Sequence, residues 1–183
     1  MPRVQAFEDP KTKILATLQT ITQPGALDRA AARKMEEEGP SMLNTVMLAT
    51  ATEPLRQTLQ ICASAPGPVI FHCQKGKDRT GMVAMLLQSC GSNGDVDDQA
   101  LVDEYAKSGT LLGEDLNEPA REEEKRGLLD FSKFRGSPPS AMSDTLAWIR
   151  ERYGSVQGYV KIALSVDSTT LEKLKAKRVV KES

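Results

Sequence analysis

The sequence predicts a helix-dominated α/β protein in which helices surround a small parallel sheet. Three observations predict it. Val69-Ile70-Phe71 is a short, apolar, mostly β-branched run behind the breaker Pro66-Gly67-Pro68, as expected of a buried parallel strand. A helical pattern follows after a short loop, from Thr80 to Cys90, and its Met82, Val83, Met85, Leu86 and Leu87 point nearly all round. The other stretches read as amphipathic helices punctuated by Pro24-Gly25, Gly39-Pro40 and Gly136-Ser137-Pro138-Pro139.

In chain order, Asp28 to Glu38 is rich in helix formers and stops at Gly39. Glu53 to Ser64 has Pro54 in its first turn and an apolar face of Leu55, Leu59 and Cys62. Ala49 to Thr52 is too short and mixed to assign. The Val69 to Phe71 strand and the central Thr80 to Cys90 helix come next. Asp95 is suited to cap a helix carrying Leu101, Val102 and Tyr105, and a later helix places Met142, Leu146, Ile149 and Tyr153 on one stripe. Leu111 to Arg126, with its Arg121 to Arg126 charge run, reads as a solvated helix or loop. Lys173, Lys175, Lys177, Arg178 and Lys181 read as a frayed basic tail.

The 183 residues and 20.0 kDa suit a single domain over 1–183, with the motif-bearing core at about 53–164. With 24 Lys+Arg against 25 Asp+Glu there is none of the basic excess that binding a nucleic-acid backbone requires. No apolar run approaches the roughly 18 residues of a membrane span, and Met1 to Pro10 contains Arg3, Glu8 and Asp9 in place of a signal-peptide core. A soluble, cytoplasmic protein without stable membrane insertion is expected. Cys62, Cys73 and Cys90 are odd in number and form no Cys-x-x-Cys pair, so they fit a reducing compartment better than a disulfide framework. With His72 as the sole histidine, the inventory offers no ordinary zinc site, and no metal or other cofactor is expected.

Chemistry concentrates in His72-Cys73-Gln74-Lys75-Gly76-Lys77-Asp78-Arg79-Thr80-Gly81, which contains Cys-x5-Arg. A tight loop running into a helix N-terminus turns consecutive backbone N-H groups toward one point and favours an oxyanion such as phosphate. Gln74, Lys75, Gly76, Lys77, Asp78, Arg79 and Thr80 are the expected phosphate-binding positions. The same amides and the helix dipole lower the pKa of a thiol beneath them, which makes Cys73 the candidate nucleophile. Arg79 can return a planar fork to two phosphoryl oxygens, as a lysine cannot. Gly76 permits a turn that side chains obstruct, and Gly81 lets the helix pack closely on the strand. Thr80 can hydrogen-bond the sulfur and help it leave. His72 should point away from the pocket and brace the loop.

This segment resembles the Gly-Lys-Asp-Arg-Thr-Gly branch of tyrosine-phosphatase-like proteins within the cysteine-dependent phosphatase superfamily. The similarity extends to Leu101-Val102-Asp103-Glu104-Tyr105-Ala106-Lys107-Ser108 and to Trp148-Ile149-Arg150-Glu151-Arg152-Tyr153-Gly154-Ser155-Val156. It implies Cys73 as nucleophile, Arg79 as phosphate clamp, a phosphocysteine intermediate, no metal, and a phosphorylated protein or a phosphoinositide as substrate. The Asp-Leu-Arg and Arg-Asp-Leu-Gly-Gly-like stretches usual upstream in the family do not occur in residues 1–70, which implies a sheet truncated on its N-terminal side. No Asp lies between Asp28 and Asp78 to serve as the general acid that many relatives bring from an upstream loop. Asp78 is the replacement, completing a catalytic set of Cys73, Arg79 and Asp78. Lys75 and Lys77 add positive charge beyond the needs of one monoester and lean toward acidic substrates such as phosphoinositides.

A Walker A loop is excluded because Asp78 follows Gly76-Lys77 and the earlier glycine is missing. A Cys-His protease is disfavoured because His72 and Cys73, as neighbours on an extended segment, face opposite ways. The rival from another class is a pseudophosphatase that holds phosphorylated ligands without turnover. A redox-sensing Cys73 would be an addition to either. Cys62 and Cys90 read as core residues on helix faces.

Overall fold

A computed structural model describes residues 26–91, 96–113, 125–126 and 129–177. They belong to two compact units, Met1–Pro40 with Asp115–Arg135 and Ser41–Glu114 with Gly136–Ser183. The first helix, α1 (Ala26–Thr50), crosses from one unit to the other and is interrupted at Gly39, whose φ of 59° and ψ of −141° are not helical, just ahead of Pro40. The sequence pattern ended its helix at that glycine; the structure resumes after it.

In the first unit the backbone N-H of Asp130 donates to Glu36 Oε1 at 2.6 Å. Lys125–Arg126 (β1) pairs antiparallel with Leu129–Asp130 (β2). Asp130 then caps a 3-10 turn, Phe131–Phe134, by accepting from the Ser132 N-H at 3.0 Å. Apart from Lys125 and Arg126, the charge run lies outside the described residues.

The second unit holds the core and the loop motif. Its helix α2 (Thr52–Ser64) begins with Glu53 and Pro54, an acid that favours the positive helix end and a residue whose missing N-H is not needed there. It ends ahead of Pro66-Gly67-Pro68. After the loop, α3 (Asp78–Gly91) buries Met82, Met85, Leu86 and Cys90 at 2% exposure or less. Each buried Met or Leu contributes about 1.5–3 kcal/mol relative to an exposed one. This helix packs against α2, α6 (Val156–Ile162) and α7 (Ser168–Ala176), so the all-round apolar pattern is matched by neighbours.

Helix α4 (Asp98–Leu112) is capped by Asp97, which accepts from the Gln99 N-H; Asp95, the expected cap, lies outside the described residues. It packs on α5 (Pro139–Tyr153), whose Met142, Leu146 and Ile149 are buried as the stripe predicted. Arg150 on α5 holds Asp98 on α4 with two hydrogen bonds, one of them 2.9 Å from Nε. The buried Tyr159 of α6 donates its hydroxyl to the Leu48 carbonyl at 2.8 Å, fixing the C-terminal half of α1 to the core. Asp167 caps α7 through the Thr170 N-H and hydroxyl, both at 2.8 Å. Lys177 is no frayed tail residue: its ammonium donates to the carbonyls of Cys62 and Ala65 at 2.7 and 2.6 Å. Arg178 and Lys181 lie outside the described residues.

The expected parallel sheet is overturned. Val69 to Phe71 is not a strand, and Ile70 is 93% exposed. Among the described residues the only strand pairing is the two-residue antiparallel β1–β2. β-branched composition expresses a preference for a pleated, half-buried surface, but a strand exists only through a neighbour that takes its backbone hydrogen bonds. None of the described segments lies alongside this run as a strand. Helix dominance is as predicted; the α/β class is not. Among the described residues no helix is long and apolar enough to cross a membrane.

Candidate active site

The loop 72–80 is held between the extended segment after Pro68 and the first turn of α3. Gly81 N-H donates to the Lys77 carbonyl at 2.6 Å, closing that turn. Gly76 sits at φ +70° with open space where a Cβ would project, so backbone conformation and not room demands glycine here. Cys73 N-H donates to Thr80 Oγ1 at 2.9 Å, which ties the two ends of the loop together.

Cys73 is half-buried and its thiol is free. Its burial raises the pKa, but hydrogen bonds from the Thr80 hydroxyl and from the backbone N-H groups of Thr80, Lys77 and Lys75 outweigh it and bring the thiol from 9.0 down to about 7. Three amides and a hydroxyl thus face one sulfur. The same amides are available to an oxyanion above the sulfur. Cys62 and Cys90 are buried and free; desolvation pushes Cys62 up, and Cys90 up to about 11.

The other expected site residues divide into two groups. Gln74, Lys75 and Arg79 are exposed, on the solvent side of the loop. His72 is exposed as well, with Nδ1 3.1 Å from the Cys73 carbonyl oxygen, the distance at which an Nδ1-H donates to it and braces the backbone. Lys77 and Asp78 turn inward. Lys77 is 2% exposed and its Nζ donates to the Gly136 carbonyl at 2.7 Å. Its side chain therefore supplies no charge at the loop mouth, although its backbone N-H faces the thiol. Asp78 accepts from the Tyr105 hydroxyl at Oδ1, 3.1 Å, and has Oδ2 3.8 Å from Lys77 Nζ.

Gly81 packs differently from the expectation. A Cβ built there would lie 2.7 Å from Cδ2 of Tyr105, so the close neighbour is an aromatic ring on α4 and not a strand. Tyr105 was legible only as a core residue on the Leu101 and Val102 face. The signal that could have found it is its place in the second stretch that resembles the phosphatases, taken together with its hydroxyl.

The thiol faced by these amides lies just ahead of the N-terminus of α3, within a Cys-x5-Arg segment. The model of the tyrosine phosphatase family matches residues 6–180, and the chain belongs to that family. A curated relative, a tyrosine-protein phosphatase of Nostoc commune, is 29% identical over 128 residues, covering 64% of this chain. The chain aligns with 41% of that relative's length.

Proposed function

We propose that the chain is a phosphate monoester hydrolase working through a phosphocysteine on Cys73, with residues 53–164 as its functional core in a single phosphatase-like domain. The observation that carries the proposal is the Cys73 thiol brought to about 7 by the amides of Lys75, Lys77 and Thr80 and by the Thr80 hydroxyl. Near neutral pH a large share of the sulfur is then thiolate.

In the first step the thiolate attacks phosphorus in line, the S-P bond forms, and the P-O bond to the leaving group breaks with its electron pair. Loop amides and the Arg79 fork stabilise the charge on the equatorial oxygens. In the second step water attacks phosphorus, the P-S bond breaks, and the sulfur leaves as thiolate, helped by the Thr80 hydroxyl. Inorganic phosphate is the product.

Substrate class follows from the two inward-turned residues. With Lys77 held by Gly136, the surplus charge that pointed to phosphoinositides shrinks to Lys75. The Asp78 carboxyl, expected from the sequence to protonate the leaving group, is instead engaged within the fold, with Oδ1 accepting from the Tyr105 hydroxyl and Oδ2 3.8 Å from Lys77 Nζ. Water then protonates the leaving group, and phenolates leave most easily. Phosphotyrosine on a protein fits best, in keeping with the name of the Nostoc relative, a tyrosine-protein phosphatase.

The test is steady hydrolysis of p-nitrophenyl phosphate by the full chain, lost in Cys73→Ser while inorganic phosphate still binds. Phosphate binding without turnover in the unaltered chain would instead establish the pseudophosphatase reading. Faster turnover of phosphoinositides than of phosphotyrosyl peptides would overturn the substrate assignment alone.

A further inference from the structure

Tyr105 is 3% exposed, and its only polar atom ends on the loop that carries the chemistry. A buried phenol placed purely for packing needs any acceptor; this one has a carboxylate in the first turn of α3. Burial, followed by the Asp78 charge, pushes its pKa well up, so the hydroxyl remains a donor throughout the working pH range. Asn44 and Ser137 lie beside the same hydroxyl and favour its anion more weakly. Of the groups around the hydroxyl, Asp78 is the one that accepts its proton, at 3.1 Å.

Three contacts show that the approach is built and not incidental. Glycine at 81 is what admits the ring, since a Cβ would meet Cδ2 at 2.7 Å and Cε2 at 3.1 Å. One turn further along α4, a Cβ at Gly109 would meet the Ser137 backbone nitrogen at 2.7 Å, so that glycine lets the 136–137 segment lie against the helix. Gly136 in that segment accepts from Lys77, whose ammonium faces the second Asp78 oxygen. The peptides on either side of the Lys77-Asp78 bond are thus anchored from two directions, by Tyr105 and by Gly136. One of the N-H groups they carry, that of Lys77, points at the Cys73 sulfur.

We propose that Tyr105 is a positioning residue: by holding the Asp78 carboxylate, its hydroxyl fixes the loop backbone whose amides face Cys73. The proposal rests on the phosphatase reading only for its effect on turnover; its effect on the thiol stands by itself. The groups facing Asp78 are Tyr105 from α4 and Lys77 from the loop, and those facing the thiol are the Thr80 hydroxyl and the amides of residues 75, 77 and 80.

The experiment measures iodoacetamide alkylation of Cys73 against pH in the full chain, together with p-nitrophenyl phosphate kinetics, for wild type, Tyr105→Phe, Asp78→Asn and the double variant. Phenylalanine keeps the ring and removes only the oxygen. In Tyr105→Phe the alkylation midpoint should rise from about 7 by about one unit, cutting the thiolate below the midpoint about tenfold. Turnover should fall mainly in kcat, because a displaced amide is missed most when charge develops on the phosphoryl oxygens. In the Asp78→Asn background the same change should add little, since the tyrosine acts through that carboxylate. Gly81→Ala, which crowds the ring, should shift the midpoint in the same direction. A lower melting temperature with an unmoved midpoint and unchanged kcat would show Tyr105 to be packing alone and overturn the proposal. A shifted midpoint in a chain that hydrolyses no phosphate ester would sustain it while removing the phosphatase reading.

Discussion

Two thiols flank the same helix and are treated in opposite ways. Cys73 lies just before the N-terminus of α3 and falls to about 7; Cys90 lies in its last turn and rises to about 11. Positive charge is not what separates them. Cys90 has Lys161 and Lys175 near enough to pull its pKa down, yet desolvation dominates. Cys73 is also penalised by burial and is rescued by short-range donors: one hydroxyl and three backbone amides. The low pKa at this helix therefore comes from directed hydrogen bonds at the end where N-H groups are unspent, and not from the general field of nearby lysines.

The largest way to break the comparison is to remove each sulfur in turn. Cys73→Ser should cost roughly 10⁴- to 10⁶-fold in phosphate ester hydrolysis, the scale on which a hydrolase loses its nucleophile. Cys90→Ser should leave turnover intact and lower stability by about 1–3 kcal/mol, because a hydroxyl replaces a thiol in a site that is 1% exposed. Equal losses of activity from the two variants, measured on p-nitrophenyl phosphate, would dissolve the distinction. Next in size is Arg79→Lys. If a bare charge sufficed, lysine would do at the loop mouth; a planar fork predicts a fall of roughly 10²- to 10³-fold in kcat, comparable to losing an oxyanion donor.

The sequence disclosed the two ends of this helix unequally. The spacing of Met82, Met85, Leu86 and Cys90 showed a buried helix, because periodicity reports the faces of a single element. The ten-residue motif showed the loop, because Cys73, Gly76, Arg79 and Thr80 together have few other uses. What stayed hidden depends on contacts distant in the chain. The Lys77 side chain read as charge at the loop mouth because nothing local reveals Gly136, 59 residues away, as its acceptor. The partner of Asp78 was hidden too, because Tyr105, 27 residues on, had only its ring written into the helical pattern. The Val69 to Phe71 strand failed for the same reason: a β-branched run states a preference, and pairing is decided elsewhere.

A smaller effect separates the hydroxyl from the amides. Thr80→Val keeps the β-branched shape and removes the donor to the sulfur, along with the acceptor of the Cys73 N-H. The alkylation midpoint of Cys73 should rise by about one unit, and Thr80→Ser should restore most of it. The second chemical step should slow more than the first, since the sulfur then leaves without the hydroxyl's hydrogen bond; burst kinetics with p-nitrophenyl phosphate would show the phosphocysteine accumulating. A midpoint that stays near 7 in Thr80→Val would assign the whole depression to the backbone.

The smallest expected effect is on folding, and its sign differs between the two thiols. For Cys73 the folded value of about 7 lies below the ordinary 9.0. Between these limits the unfolded chain binds more protons, so this group's stabilisation is fully present above pH 9 and is lost as pH falls through 7. For Cys90 the folded value of about 11 lies above 9.0, so its contribution is fully present below pH 9 and is lost as pH rises through 11. Melting temperatures of wild type minus Cys73→Ser should therefore climb from below pH 7 to pH 9, while wild type minus Cys90→Ser stays level there and declines only above it. The Cys73 change should remain under about 1 kcal/mol, because solvent screens a thiol that lies so near the surface. A Cys73 difference that declines between pH 7 and 9 would mean that folding raises this thiol as it raises Cys90, and the contrast between the two ends of α3 would be gone.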